Sequence, residues 1–398
     1  MRNLLFVPII LFLLIVISCT KETEIYENSI EKARFSRIVV RNKIDNSKEF
    51  YDKSNEKRFV PMGYNYTHVR QFVYDGIELT GHCTFNIDMY DSEEAQQMLA
   101  KLHTAGYNTV RVFLNPLSMA DNEGKLELQY VANVADFLTQ AEKQGMSIII
   151  TLDMIPLKLY GTPLESEADI WWWNQQYMDE NQIVLEVNFW TSFIQSLKQA
   201  NAPLNAILSY ELRNEFFFHS EHAPLNQSDG QIIHPNGKIY DMSKEDDKTK
   251  LIEDSFVYWS SSVRNAILVQ DIDALVSVGF YAPEPYGKPS IIAIEKSELD
   301  FVDVHLYPNS YQKNQYADYF KLSQNSNKLI IMGEFGIIEE NNHSTKEIAN
   351  QLFAWKNDFV EEYKIDGWLL WTWETKNSAK ISISDTEQFI FKKMSPKN

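Results

Sequence analysis

From Phe59 onward the chain alternates short apolar runs with longer stretches whose apolar residues recur every three to four positions. The first pattern is that of strands buried on both faces and the second that of helices buried on one side. Their alternation predicts βα units around a parallel sheet. Eight runs read as strands, "FVPMGYNY", "NTVRVFL", "SIIITLD", "NAILSYEL", "ALVSVGF", "DFVDVHLY", "KLIIMGEF" and "DGWLLWTW". Between the first two, "SEEAQQMLAKLHTAG" offers Ser92 as an N-cap, acidic residues in the first turn and a closing Gly106, which reads as a helix. "YVANVADFLTQAEKQG" repeats the design up to Gly145, and "NQIVLEVNFWTSFIQSLKQA", "KTKLIEDSFVYWSSSVRNAILVQ" and "NHSTKEIANQLFAWKNDFVEEY" read as three more helices. Eight strands separated by helices predict an α/β chain closed into a (β/α)8 TIM barrel. No "GxGxxG" follows the first strand to argue for an open nucleotide-binding sheet.

Two connections are longer than such a barrel needs, Asp153 to Asn181 after the third strand and Phe216 to Asp246 after the fourth. Both follow strand C-termini and should rise over the face where barrel sites are built. The first contains "DIWWWNQQY", where Trp171, Trp172 and Trp173 form either an exposed platform for sugar rings or a loop stapled to the barrel by aromatic burial. The second contains His219, Glu221, His222, Asp229 and His234, whose spacing matches no strong zinc motif, so a solvated loop is expected and no metal is assigned.

The N-terminus changes the picture of where the barrel works. "MRNLLFVPIILFLLIVISCT" has a short basic start and an apolar run too short to span a membrane comfortably, then Ser18 and Cys19. "VISC" resembles a bacterial lipobox, which implies a signal peptide over 1–19, lipidation of Cys19 and attachment to the cell surface or outer membrane, a periplasmic face remaining open. Plain secretion or a retained anchor is the alternative. A polar tether is expected over 20–50 and the catalytic domain over 51–398. With Cys19 lipidated only Cys83 is left, so no internal disulfide forms and a large core must hold the fold, for which 44% hydrophobic residues suffice. A formal net charge of −18 excludes polyanionic partners such as nucleic acid and leaves neutral substrates open. A monomer with no cofactor is expected.

The ends of the eight strands carry the chemistry. Arg111 lies in the second, Asn214 and Glu215 follow the fourth, His305 and Tyr307 end the sixth, Glu334 ends the seventh, and Trp371 and Trp373 stand in the eighth. Buried strands seldom hold an arginine, a histidine and two glutamates unless these groups meet, and strand C-termini of a closed barrel converge on one rim. Two glutamates about 5–5.5 Å apart can hydrolyse a glycosidic bond with retention, one attacking the anomeric carbon and the other protonating the leaving oxygen. Arg111 beside Glu334 would favour its charge, and the "FFF" of Phe216 to Phe218 is expected to dry the surroundings of Glu215. Trp371 and Trp373, two apart, should point the same way, and Glu211 and Arg213 are expected to form a local ion pair.

"NE" after strand four, "HLY" after strand six, "GEFG" at strand seven and the tryptophan of strand eight together resemble glycoside hydrolase family 5, the cellulase family, in the clan A retaining glycosidases. The resemblance covers about residues 59 to 375. It implies Glu215 as acid/base and Glu334 as nucleophile. It further implies Asn214 on the hydroxyl next to the reacting carbon, Arg111 and Tyr307 orienting Glu334, His305 steadying the acid/base or binding sugar, and Trp371 as a sugar floor. One departure stands out: "IIITLDMIPLKLY" lacks the histidine that members commonly place after strand three, so another clan A family with the same barrel stays open. The expected activity is cleavage of a β-glucan or β-mannan type polysaccharide. A surface lipoprotein that captures glycans without cutting them is the alternative, and a metal-dependent barrel hydrolase is more distant.

Overall fold

The computed structural model describes residues 37–74, 76–120, 125–153, 170–280, 289–307, 328–337, 344–373 and 388–397, with positions 315 and 318. Cys19 and the expected signal segment lie outside them. In chain order the strands are β1 (Ile38–Asn42), β2 (Lys48–Asp52), β3 (Lys57–Phe59), β4 (Met62–Tyr66), β5 (Val69–Tyr74), β6 (Ile77–His82), β7 (Thr109–Leu114), β8 (Ser147–Leu152), β9 (Ile207–Glu211), β10 (Gln231–Ile233), β11 (Ile239–Asp241), β12 (Val276–Phe280), β13 (Phe301–Leu306), β14 (Leu329–Phe335) and β15 (Gly367–Trp373). The helices are α1 (Ser92–Ala105), α2 (Pro116–Met119), α3 (Leu128–Lys143), α4 (Trp172–Met178), α5 (Glu180–Gln199), α6 (Glu245–Gln270), α7 (Ile291–Lys296), α8 (Thr345–Glu362) and α9 (Gln388–Met394).

Strands β4, β7, β8, β9, β12, β13, β14 and β15 pair in parallel in that order, and β15 returns to β4 to close the barrel. All eight apolar runs are therefore barrel strands, and the protein is a (β/α)8 TIM barrel. Closure leaves no open edge, and burial of both faces explains why β7, β8, β9, β12, β13 and β14 are buried at every position. The main core lies between strands and helices, with Trp190, Phe193, Trp259 and Phe280 among its fully buried members. Among the described residues no helix is long and apolar enough to cross a membrane.

Two local expectations change. The cap of α1 is Asp91, whose carboxylate accepts from the backbone N–H groups of Glu93 and Glu94, while Ser92 donates its hydroxyl to Asp136 instead. Gly106 does close that helix, with φ of 92°. The larger change is at the barrel floor. Residues 38–50, expected within a tether, form β1 and most of β2, which with β3 make an antiparallel sheet. Ile38 and Phe50 from this sheet pack with Ile149, Leu208, Phe301, Ile331 and Leu369 of the lower barrel, and Phe50 meets the Phe301 ring edge-on at 5.2 Å. Arg37 then clamps Asp271 with two hydrogen bonds of 2.5 and 2.6 Å. The charged residues between these anchors pair with one another or face water, which is why the stretch reads as a tether.

Candidate active site

Arg111 enters the barrel interior from the middle of β7 and is fully buried. Its Nε and Nη2 donate to Glu211 Oε1 at 3.0 and 2.6 Å, its Nη1 donates to Glu334 Oε1 and to Asn65 Oδ1 at 2.9 Å each, and its Nη2 also reaches Asn214 Oδ1 at 2.6 Å. One guanidinium thus ties the ends of barrel strands one, two, four and seven. Burial opposes its charge, but Glu211 and after it Glu334 hold the guanidinium above its ordinary pKa. Asn65 fixes the same corner by donating Nδ2–H to the Gly333 carbonyl at 2.7 Å.

Glu334 is 4% exposed and is held from two sides, by Arg111 on Oε1 and by the Tyr307 hydroxyl, which donates to Oε2 at 2.7 Å. Burial pushes its carboxyl up, and His305 and Arg111 pull it back part of the way. Glu215 stands just past the end of β9 with a side chain 28% exposed, and its Oε1 lies 2.9 Å from His305 Nδ1. Burial drives the His305 imidazole down to about 4, so it is neutral at ordinary pH. Arg111 Nη2, whose two hydrogens go to Glu211 and Asn214 at 2.6 Å, lies 3.4 Å from its Nε2. With its proton on Nδ1 the neutral ring donates to an ionised Glu215, and with Nδ1 bare it accepts from a protonated one. An oxygen of Glu215, an oxygen of Glu334 and a ring nitrogen of His305 all lie within 4.8 Å of one another. Arg111, Asn214, Glu215, His305, Tyr307 and Glu334 thus form one cluster at the mouth of the barrel.

The triple phenylalanine does not dry the surroundings of Glu215. Phe216 and Phe218 are turned into the helical layer, where Phe216 stacks on Trp259 at 5.2 Å and Phe218 meets Tyr177 edge-on at 5.4 Å. Phe217 instead stacks on Trp173 at 5.0 Å and its carbonyl accepts the Trp173 indole N–H at 3.0 Å. The expected pair of Glu211 with Arg213 is also absent. β9 ends at Glu211, so the pleat that keeps alternate residues on one face ends with it. Glu211 points inward to Arg111, while Arg213 points outward, donating to Glu186 at 2.9 Å and to the Tyr177 hydroxyl at 3.1 Å.

The three tryptophans straddle the start of α4 and are not in a free loop. Trp171 stacks on His222 at 3.8 Å and Trp173 is tied to Phe217 as above, so two of the three fasten the loop after β9; Trp172 remains 39% exposed. His219 and Glu221 pair at 2.6 Å beside His222, whereas His234 is buried apart from them and accepts from the Asn236 N–H. Trp371 and Trp373 do not share a side. Trp371 meets Phe113 and His82 edge-on at 5.6 and 6.1 Å, facing the mouth, while Trp373 packs against Tyr64 and Phe391 in the outer core. A register irregularity between Leu370 and Trp373 breaks the alternation there.

His82 was not legible as a site residue. It comes from β6, in a hairpin formed with β5 between the first barrel strand and α1, yet its Nε2 lies 3.3 Å from Asp153 Oδ2 at the end of the third barrel strand. Its ring stacks on Phe113 at 4.0 Å beside Trp371. A histidine thus stands at the corner where strand three supplies none. Asn65, Glu211 and Asp303 were equally missed as site residues, although each is a polar residue inside an otherwise apolar strand, and that was the available signal.

Residues 70–377 match the sequence profile of Cellulase (glycosyl hydrolase family 5). No curated protein matches the chain. Among solved structures, the chain resembles an endo-1,4-β-mannanase from Rhizomucor miehei at 15% identity and a TM-score of 0.61, covering 90% of this chain and 98% of that one. A family 5 mannosidase from the same organism gives 12% identity and a TM-score of 0.58, covering 91% and 96%. A β-mannanase from the blue mussel Mytilus edulis gives 16% identity and a TM-score of 0.51, covering 85% and 92%. At these identities the likeness is one of fold.

Proposed function

The chain belongs to glycosyl hydrolase family 5, the cellulase family, and is a glycoside hydrolase; on that premise we propose that it cleaves a β-linked polysaccharide with retention of configuration, through Glu334 as nucleophile and Glu215 as acid/base. The observation that carries this reading is the spacing of the two carboxyls, whose nearest oxygens lie within 4.8 Å. That suits the about 5–5.5 Å of a double displacement and leaves no room for the intervening water that inversion needs at about 6.5–9.5 Å.

The surroundings divide the roles. Glu334 is fixed by a cation and a phenol, so one oxygen can attack the anomeric carbon without rotating away. Glu215 is the more exposed and touches a neutral imidazole, a setting in which a carboxyl can carry a proton and later lose it. In the first step the Glu334 oxygen bonds to the sugar carbon, the glycosidic carbon–oxygen bond breaks, and Glu215 gives its proton to the departing oxygen. In the second, Glu215 takes a proton from water, the water oxygen bonds to the same carbon, and Glu334 leaves as a carboxylate. Asn214, held by Arg111, would meet the neighbouring sugar hydroxyl, and Trp371 would lie under the reacting ring.

The similar solved structures are two mannanases and a mannosidase, which puts β-mannan first among substrates, and the cellulase family puts β-glucan next. Proton NMR of the first product released from each polymer tests the stereochemistry: a β-anomer appearing before mutarotation supports the reading, and an α-anomer overturns it. Export with a lipid on Cys19 belongs to the same proposal, supported by "VISC" at the end of the apolar run. Partition of the expressed protein into detergent, lost in Cys19→Ala, is the expected result, and an aqueous-phase wild type would sink it.

A further inference from the structure

Beneath the two reacting carboxyls lies a second carboxyl pair that the double displacement does not use. Glu211 on β9 and Asp303 on β13 are both fully buried. With Glu334 they make three carboxyl groups around the single guanidinium of Arg111, since His305 is neutral. Three buried carboxylates against one cation would leave two uncompensated charges in the barrel interior, and uptake of a proton is the usual relief.

The contacts show where that proton belongs. Glu211 receives two Arg111 N–H groups, and Glu334 receives one together with the Tyr307 hydroxyl. Asp303 receives the Gly333 backbone N–H on Oδ1 at 2.6 Å, and Arg111 comes only to 3.5 Å of its Oδ2. No donor among the described residues hydrogen-bonds Glu211 Oε2 or Asp303 Oδ2, and the two side chains converge on one atom, Arg111 Nε, with Glu211 Oε1 at 3.0 Å and Asp303 Oδ2 at 3.5 Å. Two carboxyl groups can share a hydrogen bond only if one of them carries a proton. Gly333 is part of the arrangement, because a Cβ there would fall 1.7 Å from Asp303 Oδ2.

We propose that Asp303 is a neutral carboxylic acid at working pH, donating its proton to Glu211, and that as a positioning residue it leaves the charge of Arg111 free to keep Glu334 ionised. Burial, and after it the charge of Glu211, push the Asp303 carboxyl far above the usual carboxylate range. The charged and titratable groups facing it are Arg111 on β7, Glu211 on β9, Glu334 on β14 and His305 on its own strand. The catalytic consequence rests on Glu334 being the nucleophile, whereas the shared proton does not.

The decisive variant is Asp303→Asn, whose amide can accept from Gly333 and donate to Glu211 as the acid does. Whatever the change in the height of its pH profile, the acidic limb should stay within about 0.3 units of the parent's. A fall of that limb by about one unit or more would mean that a negative charge had been removed, and would overturn the proposal. Aspartate-selective carbon-13 labelling of the native enzyme gives a readout that needs neither activity nor a folded Asp303 variant. One carboxyl signal should keep its protonated position at pH 8 and survive in Asp300→Asn and Asp366→Asn, which remove two half-buried aspartates whose carboxyls burial also pushes up. A fully ionised set at pH 8 would also overturn it. If Glu334→Ala retained turnover while that signal persisted, the nucleophile assignment would fail and the proton assignment would stand.

Discussion

At the floor of the barrel, Leu208, Phe301, Ile331 and Leu369 point inward and close over Phe50 and Ile38. Two to three residues further along the same strands, Glu211, Asp303, Glu334 and Trp371 point inward at the mouth, around Arg111. The floor is held by removing apolar surface from water, which asks only that shapes fill the space. The mouth is held by one cation serving several buried acceptors, which asks that every partner be present. The same strands therefore carry stability at one end and chemistry at the other, and the two ends should fail differently when disturbed.

The largest effect expected separates activity from fold. Glu334→Ala and Glu215→Ala should each lower kcat by about a thousandfold or more on the responsive polysaccharide, with thermal unfolding close to the parent. Normal turnover in either variant would end the two-glutamate reading. Arg111→Met should lose both properties, because it strands Glu211 and Glu334 without a counter-charge. Urea unfolding should show a loss of about 3–5 kcal/mol. Phe50→Ala should make the opposite cut, costing about 3–5 kcal/mol of stability while kcat/KM at low temperature is unchanged. A loss of activity in that folded variant would show that floor and mouth are not independent.

The smallest effect is a pH dependence confined to the mouth. The folded chain holds His305 down at about 4 against an ordinary 6.5. Between those values the unfolded chain binds a proton that the folded one refuses. Its contribution is present in full above about 6.5 and is lost as the pH falls toward 4. Urea midpoints at pH 7 and 4.5 should therefore differ more for the native enzyme than for His305→Gln. An equal difference would place the acid sensitivity elsewhere, with the floor as the next suspect.

How far the sequence could be read differs between the same two regions. The eight strands were legible because continuous apolar runs and amphipathic helices obey local periodicity, and the convergence of Arg111, Asn214, Glu215, His305, Tyr307 and Glu334 followed from strand order alone. The floor sheet was not legible, since its burial rests on two anchors, Ile38 and Phe50, set among residues such as Arg41 and Glu49 that pair with each other across the turn. Alternation also misled wherever the ladder breaks. Irregularities between Val304 and His305 and between Met332 and Phe335 accompany an inward Glu334, although Ile331 and Gly333 already face inward on that strand. Another irregularity turns Trp373 away from Trp371.

By itself the sequence determined the barrel and the list of polar groups that had to meet at its mouth, because periodicity and burial are properties of neighbouring residues. Only the tertiary structure decided who pairs with whom. It sent Arg213 outward to Glu186, joined Glu211 to Arg111, and brought His82 from a hairpin to the end of a strand that has no histidine. Those partners lie up to a hundred or more residues apart, and the competition for one buried guanidinium is settled by distance in space, which no local pattern records.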